Sequence, residues 1–442
     1  MDGTAYALEL AKSATSAALI ERFPFAIVGH VDHGKSSLIG RLLHDTHSLP
    51  DGKVAELRAA SDKRGGQFEW SFLLDALQAE RDQGITIDTT QIFFATAKRR
   101  YVIIDAPGHK EFLKNAISGV AQAQAAILVI DAAEGVREQT RRHALILQLL
   151  GLRQIAVAVN KVDLIGFEQA RFDGIAREIT AYLTQLTLSP SVIIPVSARH
   201  GDNVATPSGN MPWYRGPTVL EALDGFVAAP IAPDQPLRLP VQDVFKFDER
   251  RLVVGRIESG SLSVGDRLEF APSFKQARIA SIEAWNSPTP LTATAGQSVA
   301  ITLDDELFIE RGHVAVHSDR RPILGRRADL RIFWLDDQPL RIGERLKLKI
   351  VTAEYPVEIE QIAAVIDVER LQPTQASEIR RNAIADITVR SRALMALDLA
   401  ADMQRTGRGV LLRNGEIVGG ALVIDAEASD VDKRLIGPDH LV

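Results

Sequence analysis

The chain has 442 residues, of which 46% are apolar and 24% are charged, with a formal net charge of −6 and no cysteine. This is the composition of an ordinary globular protein, and the length predicts about three domains. Without cysteine, disulfides, thiolate metal sites and thiol catalysis are excluded, and a reducing cytoplasm is the expected location. The acidic balance does not indicate nucleic-acid binding, although a local basic patch could exist within it.

The beginning of the chain, residues 1–24, is predicted to be an N-terminal extension. It lacks the basic region that precedes the apolar core of a secretory signal, so a short amphipathic helix or a plain extension is expected. The longest apolar runs, such as Ala125–Ile130, are far too short to cross a bilayer. No membrane partner is therefore predicted.

Residues 25–229 alternate short apolar runs with longer stretches of helical pattern. Uninterrupted apolar runs are typical of strands buried on both faces of a parallel sheet. The strands are predicted at 25–29, 101–105, 125–131, 154–160 and 191–197, and the helices at 36–44, 110–122, 138–150, 167–185 and 218–227. This alternation predicts an α/β domain with a doubly wound, mostly parallel sheet.

The pattern changes after Pro230. Residues 231–240 contain three prolines and predict a linker, and helical signals become rare beyond it. A second break is predicted at 318–327, which divides the remainder into segments 235–320 and 325–442. We expect each segment to form a β-barrel domain.

Two local signals support strands in the last segment. Leu346, Leu348 and Ile350 alternate with lysines, which is the period of two of a half-buried strand. Asn414-Gly415 lies between apolar runs and predicts a tight hairpin, because both turn positions need positive φ. The arginines in the preceding break are interpreted as a solvated linker rather than an RNA-binding patch; they are Arg320, Arg321, Arg326 and Arg327.

The segment GHVDHGKS lies directly between the first predicted strand and the first predicted helix and matches a P-loop. Its glycines let successive backbone N–H groups point at phosphate oxygens. Lys35 can reach the β- and γ-phosphates, and the Ser36 hydroxyl can bind Mg²⁺. The predicted nucleotide-binding residues of this segment are Gly29, His30, Val31, Asp32, His33, Gly34, Lys35, Ser36 and Ser37.

Two later segments predict contacts to the metal and the γ-phosphate. Asp105 ends a predicted strand, which places its carboxylate at the sheet edge near the metal, and Gly108 offers a backbone N–H to the γ-phosphate. Thr86, within ERDQGITID at 80–88, is predicted to bind Mg²⁺ in the GTP state and to be released after hydrolysis. The predicted Mg²⁺ ligands are Ser36, Thr86 and Asp105.

His109 follows Gly108 directly and could orient the attacking water. Val31 and Ile85 could form an apolar gate that His109 must pass, but ordinary packing explains this pair equally well. The residues predicted to act in hydrolysis are His109, Lys35 and Thr86.

The segment NKVD at 160–163 predicts which base is bound. A carboxylate at Asp163 accepts hydrogen bonds from N1–H and the 2-amino group of guanine, and it rejects adenine, which lacks both donors. The Lys161 stem could cover the purine face while its ammonium stays solvated. Ser197-Ala198, with Asn160, completes the predicted base contacts, with a backbone N–H offered to guanine O6.

With these residues in place, the chain resembles the translation-factor class of GTPases over nearly its whole length. GHVDHGKS, GITID, DAPGHKEFLKN and NKVDL are the motifs that carry the resemblance. It implies a GTPase domain followed by two β-barrels, GTP/GDP and Mg²⁺ as ligands, and His109 as the catalytic histidine.

Within this class the chain is most similar to the large, GTPase subunit of bacterial sulfate adenylyltransferase (the CysN type). The similar segments are residues 73–88, 139–167, 201–223, 295–314 and 407–425. The resemblance implies a smaller catalytic subunit as partner in a hetero-oligomer, with GTP hydrolysis driving formation of adenosine 5′-phosphosulfate.

Other segments resemble elongation factor 1-alpha instead. His30, His33 and the sequence DAPGHKE depart from the pattern usual in the sulfate-activating branch. A carrier of aminoacyl-tRNA is therefore kept as the alternative, and a regulatory GTPase of another enzyme is a third possibility.

Overall fold

The chain folds as two compact units, Met1–Ala228 and Ala229–Val442. The computed structural model describes residues 22–49, 52, 55, 70, 91–105, 123–227, 235–247, 250–283, 289–367 and 372–429. The N-terminal extension up to residue 21 and the helix predicted at 110–122 lie outside these residues. The domain boundaries given above therefore stay predictions at the level of single residues.

The first unit contains a six-stranded sheet in the order β2-β3-β1-β4-β5-β6. All neighbouring strands are parallel except β2, which pairs antiparallel with β3. The strands are β1 (Arg22–Gly29), β2 (Gln91–Ala95), β3 (Arg100–Asp105), β4 (Ala125–Asp131), β5 (Ile155–Asn160) and β6 (Val192–Pro195). The predicted doubly wound, mostly parallel sheet is confirmed.

Four α-helices accompany this sheet within the described residues. They are α1 (Lys35–Asp45), α2 (Glu138–Leu149), α3 (Gln169–Gln185) and α4 (Val219–Gly225), and a 3₁₀ turn spans Val162–Ile165. Each overlaps a predicted helix. Strands β4 and β5 are buried along their whole length, which explains their uninterrupted apolar sequences.

Parallel register brings the ends of the strands to one edge of the sheet. Ile27 on β1 lies beside Asp105 on β3, and Asp131 on β4 lies beside Asn160 on β5. The carboxyl ends of these strands therefore meet at the edge where ligands bind in open α/β sheets.

The second unit begins with a closed six-stranded barrel in the order β10-β11-β13-β8-β7-β14. Closure leaves no free sheet edge among these strands. The barrel strands are β7 (Leu239–Phe247), β8 (Arg250–Arg256), β10 (Arg267–Ala271), β11 (Lys275–Glu283), β13 (Ser298–Leu303) and β14 (Val314–His317), and β9 (Ser261–Ser263) pairs with β12 (Thr292–Thr294).

The rest of the second unit forms a seven-stranded sheet that also closes, because β17 and β18 pair with each other. Its strands are β15 (Ile323–Trp334), β17 (Arg345–Ile350), β18 (Ala353–Ile366), β19 (Pro373–Thr374), β21 (Ile384–Leu397), β22 (Arg408–Arg413) and β23 (Glu416–Ala428), and the short strands β16 (Leu340–Arg341) and β20 (Glu378–Ile379) pair separately with each other. The two predicted β-barrels are confirmed.

The local signals for strands in this second barrel are also confirmed. Leu346, Leu348 and Ile350 are buried and lie in β17. Asn414 and Gly415 have φ of 54° and 88° and join β22 to β23, whose ends pair antiparallel.

Two buried ion pairs involve the segments that flank the first barrel. Arg238 and Asp398 are 3% and 8% exposed, and their closest N···O distance is 2.8 Å. Arg321 donates two hydrogen bonds of 2.6 Å to Glu269, which is 1% exposed. The interpretation of Arg321 as part of a solvated linker is therefore wrong, because its guanidinium neutralises a buried carboxylate.

In the part of the chain that the structure describes, no helix combines the length and the apolar character needed to cross a membrane.

Candidate nucleotide-binding site

The predicted P-loop connects the end of β1 to the start of α1. His30 and Val31 are half-buried, Asp32 is exposed at φ 63°, and Gly34 caps the helix in a left-handed conformation. The free N–H groups of the first helical turn, including those of Ser36 and Ser37, are available to an anion at this position. The strand–loop–helix context expected of a phosphate-binding loop is therefore present.

Glycine is required at two positions of this loop, because neighbouring atoms leave no room for a Cβ and because the backbone φ is positive. A Cβ on Gly29 would lie 2.4 Å from the Val129 carbonyl oxygen, and one on Gly34 would lie 2.3 Å from Asn160 Nδ2. Both glycines have positive φ, at 153° and 86°. A side chain at either position would push the loop away from the strand ends that surround it.

Lys35 points back across the loop. Its ammonium donates hydrogen bonds of 2.9 and 2.8 Å to the carbonyls of Gly29 and His30, and the residue is 8% exposed. Burial lowers the pKa of this ammonium, while the carboxylates of Asp105 and Asp32 oppose that shift. A buried cation at the start of a helix that follows a glycine-rich loop is suited to binding phosphate oxygens.

Asp105 lies at the end of β3, as predicted. Burial raises the pKa of its carboxyl group above the ordinary value, and the positive charge of Lys35 opposes this shift. Within the described ranges, no group of three His, Cys, Asp or Glu side chains is placed to hold a metal ion. The Ser36 hydroxyl and the Asp105 carboxylate fit Mg²⁺ only when phosphate oxygens and water supply the remaining ligands, which is how proteins commonly bind this ion.

His33 fastens the loop from its buried side. The imidazole is 0% exposed, and its Nδ1 lies 3.2 Å from the Val129 carbonyl, to which it donates. Burial lowers the pKa of this imidazole, although the Val129 hydrogen bond acts in the opposite direction. The His33 side chain therefore anchors the loop in its neutral form, and the predicted contact of this residue with the nucleotide stays a prediction.

Asn160 connects three segments of the site. Its Nδ2 donates a 2.9 Å hydrogen bond to the His33 carbonyl, and its Oδ1 accepts a 3.0 Å hydrogen bond from the Ala198 N–H. The side chain is 2% exposed. Asn160 thus ties the phosphate loop to the loop that follows β6, whereas the Ala198 N–H predicted to face guanine O6 already has a partner within the protein.

Asp163 is held in place by Ser197, which the sequence also predicted as a residue of the base-binding site. Ser197 Oγ donates a 2.6 Å hydrogen bond to Asp163 Oδ1, while the Oδ2 atom lies 3.9 Å from His200 Nε2. One carboxylate oxygen is thereby fixed in orientation, and the carboxylate can still accept from a donor pair such as guanine N1–H and its 2-amino group. This geometry is compatible with the base-reading role predicted for Asp163, which stays a prediction.

Lys161 differs in one respect from its prediction. Its ammonium is paired with Asp131 Oδ2 at 2.8 Å rather than left to solvent. Burial alone would raise the pKa of Asp131, but hydrogen bonds from Lys161 and from the Ala133 and Glu134 N–H groups hold it below its ordinary value. Lys161 Cε lies beside Gly34, so its stem remains next to the phosphate loop. The ion pair fixes the stem in this position.

Three predicted residues, Thr86, Gly108 and His109, lie outside the described residues, as does Ile85 of the proposed apolar gate. Their roles stay predictions. Of the remaining predicted residues, the structure brings the phosphate loop, Asp105, the 160–163 segment and Ser197-Ala198 to one edge of the sheet.

Asp131 is a site residue that the sequence analysis missed. It ends β4 in the same way that Asp105 ends β3, so a systematic inspection of strand ends could have found it.

His143 on α2 was also missed. Its Nδ1 donates to the Gln139 carbonyl, and its buried side chain lies near His30, His33 and Lys35. No local sequence pattern indicated this proximity.

Two protein families match separate segments of the chain. The family profile of the "Elongation factor Tu GTP binding domain" matches residues 21–229, and that of the "GTP-eEF1A C-terminal domain-like" family matches residues 327–424. The first unit is therefore a GTPase domain, and its ligands are GTP and GDP.

Full-length relatives extend the match over both units. "Sulfate adenylyltransferase subunit 1" of Laribacter hongkongensis (strain HLHK9) is 36% identical over 92% of this chain and 85% of the relative. "Bifunctional enzyme NodQ" of Rhizobium sp. (strain N33) is 36% identical over 93% of this chain and 66% of the relative. A solved structure of sup35 complexed with GDP covers 92% of this chain and 94% of that chain at 21% identity, with a TM-score of 0.43, and we draw nothing from it. On identity and coverage together, the chain belongs to the sulfate adenylyltransferase subunit 1 family.

Proposed function

We propose that this chain is the GTP-binding and GTP-hydrolysing subunit of a sulfate adenylyltransferase. It couples GTP hydrolysis to the formation of adenosine 5′-phosphosulfate from ATP and sulfate, which takes place on a separate, smaller catalytic subunit. Membership of the subunit 1 family supports the pathway. The observation that supports the GTP requirement most directly is the fixed carboxylate of Asp163 beside a phosphate loop.

In this proposal each part of the site has a defined task. Lys35 and the first turn of α1 bind the β- and γ-phosphates, and Asp163 selects guanine. Ser36 and Asp105, with Thr86 in the GTP state, would hold Mg²⁺, and the ion would neutralise charge on the phosphate oxygens. His109 orients a water molecule that attacks the γ-phosphorus, so that the bond to the β-phosphate oxygen breaks and GDP and phosphate leave.

The two barrels connect the GTPase domain to its partner. The second unit is a pair of closed barrels joined by buried ion pairs, which suits a rigid docking element. The cysteine-free sequence is compatible with the reducing cytoplasm, where we place this complex.

The test is to co-purify the chain with the small adenylyltransferase subunit and to measure pyrophosphate release from ATP and sulfate. We expect stable association and a rate that depends on GTP. Failure to associate, or a rate that GTP does not change, would contradict the proposal. Protection of the aminoacyl ester of tRNA by the GTP form alone would support the elongation factor 1-alpha alternative instead.

A substitution at Asp163 tests whether this residue selects guanine. Asp163→Asn exchanges one acceptor oxygen for an amide donor, which suits the 2-oxo group of xanthine rather than the 2-amino group of guanine. In the variant, XTP should therefore replace GTP as the nucleotide that stimulates adenylylsulfate formation. If GTP and XTP act on the variant as they do on the original chain, then Asp163 does not read the base.

A further inference from the structure

Trp70 lies in the connection between α1 and β2, and its ring is buried against α1. The residue is 5% exposed, its ring centroid lies 4.6 Å from that of His44, and Arg41 Cζ lies 5.4 Å from the ring centroid. A Cβ on Gly40 would lie 2.4 Å from the Trp70 carbonyl oxygen. The absence of a side chain at Gly40 thus allows the backbone at Trp70 to pack directly on the helix.

The same tryptophan contacts the loop that follows β6. Its indole N–H donates a 3.3 Å hydrogen bond to the Arg199 carbonyl. Arg41, which packs against the indole, also lies against this loop, since a Cβ on Gly201 would be 2.2 Å from its guanidinium. Asp45 holds the Arg41 guanidinium through two hydrogen bonds of 2.8 and 2.9 Å. Trp70 and Arg41 therefore form a brace between α1 and residues 197–202.

This loop positions both base-facing side chains. Ser197 donates to Asp163, and the Ala198 N–H donates to Asn160. The loop is tight, because the Gly201 N–H donates to the Ser197 carbonyl at 2.7 Å. A displacement at Arg199 or Gly201 is consequently transmitted to the residues that hold Asp163 and Asn160.

We infer that Trp70 is a positioning residue for guanine recognition. It links the connection between α1 and β2 to the loop that orients Asp163, and it thereby sets the lifetime of the bound guanine nucleotide. The inference rests on the assignment of this edge of the sheet as the guanine-nucleotide site.

The test uses Trp70→Phe, which keeps an aromatic ring on α1 but removes the indole N–H, and Trp70→Ala, which removes both. The dissociation rate of a fluorescent GDP analogue should rise about threefold in the first variant and about tenfold in the second, as expected for losing one neutral hydrogen bond and then the ring as well. The ratio of GDP to IDP affinity should fall in both variants, because inosine lacks the 2-amino group that Asp163 reads.

The affinity ratio separates this role from general destabilisation. A loosened domain weakens binding of both nucleotides by the same factor, whereas a misplaced Asp163 loses two hydrogen bonds to GDP but only the N1–H bond to IDP, so GDP affinity falls further. Tyr101→Phe is the matched control: it removes a 2.5 Å hydrogen bond to Asp224 near the amino end of β3, away from the nucleotide edge. The control should keep the original dissociation rate and affinity ratio.

The inference is overturned if both Trp70 variants keep the original GDP to IDP ratio, or if Tyr101→Phe changes the ratio equally. If neither variant retains GDP at all, binding of pyrophosphate, which does not contact Asp163, shows whether the phosphate site survives. Retained pyrophosphate binding supports the inference, and its loss contradicts it.

Discussion

A substitution in the ion pair between Arg238 and Asp398 measures how much this pair stabilises the second unit. The guanidinium donates three hydrogen bonds to the Asp398 carboxylate, at 2.8, 2.9 and 3.2 Å, and Thr406 donates a fourth at 2.5 Å. In Asp398→Asn the guanidinium stays buried without its counter-charge, and the new amide places a donor among existing donors. Removing one partner of a buried pair costs roughly 3–5 kcal/mol. We expect the free energy of unfolding of the second unit to fall by this amount.

A matched control exists in the second barrel. Arg331 and Asp386 form a similar two-bonded pair at 2.8 and 2.9 Å, but their side chains are 34% and 23% exposed. Asp386→Asn should lower the free energy of unfolding by at most about 1 kcal/mol, because water solvates the guanidinium that remains. The difference between the two losses of unfolding free energy measures the contribution of burial.

The measurement is hydrogen–deuterium exchange of the full chain, read in peptides from β7 and β21, together with the urea midpoint of unfolding. Asp398→Asn should accelerate exchange in both strands, and Asp386→Asn should leave β7 unchanged. Arg238→Met combined with Asp398→Leu should recover most of the lost stability, because no charge then remains buried. Equal effects of the two asparagine variants would refute the reasoning.

Three further predictions concern the GTPase domain. Lys35→Ala should lower GDP affinity by about 100-fold, in keeping with the loss of charge-assisted hydrogen bonds to phosphate; unchanged affinity in a titration with fluorescent GDP would exclude that contact. His109→Ala should leave GTP affinity nearly normal but slow hydrolysis in single-turnover assays, and normal turnover would remove His109 from the mechanism. Burial lowers the pKa of His143 from 6.5 to about 4, so below pH 6.5 only the unfolded chain takes up this proton. Stability should therefore fall by roughly 3 kcal/mol between pH 6.5 and 4 through this residue, and His143→Leu should show a correspondingly weaker loss in pH-dependent urea unfolding.

The arrangement of the nucleotide site follows largely from the order of strands along the chain. Asp105 and Asn160 each end an apolar run, and parallel strands necessarily bring their carboxyl ends to one edge of the sheet. The period of two in β17 and the positive φ needed at Asn414-Gly415 are equally local properties, and the structure confirms both. Such features are predictable because each depends on residues that are close in sequence.

Contacts between distant segments were not predictable in this way. Lys161 was expected to keep a solvated ammonium, but Asp131 lies opposite because β4 and β5 are neighbours in register. Arg321 was read as solvated, yet it neutralises Glu269, which is buried on the outer face of the first barrel because its neighbours Leu268 and Phe270 fill the interior. In both cases the partner comes from a segment distant in sequence, which charge patterns along the chain do not reveal.

The sequence by itself determined the fold class, and it predicted the phosphate loop and Asp163 as the base-reading carboxylate, because each depends on short segments with a defined backbone context. Only the tertiary structure decided how that carboxylate is held. Ser197 and the brace formed by Trp70 and Arg41 reach it from elsewhere in the chain. The energy of such contacts depends on distance and burial in the folded state, and neither quantity can be read from sequence spacing.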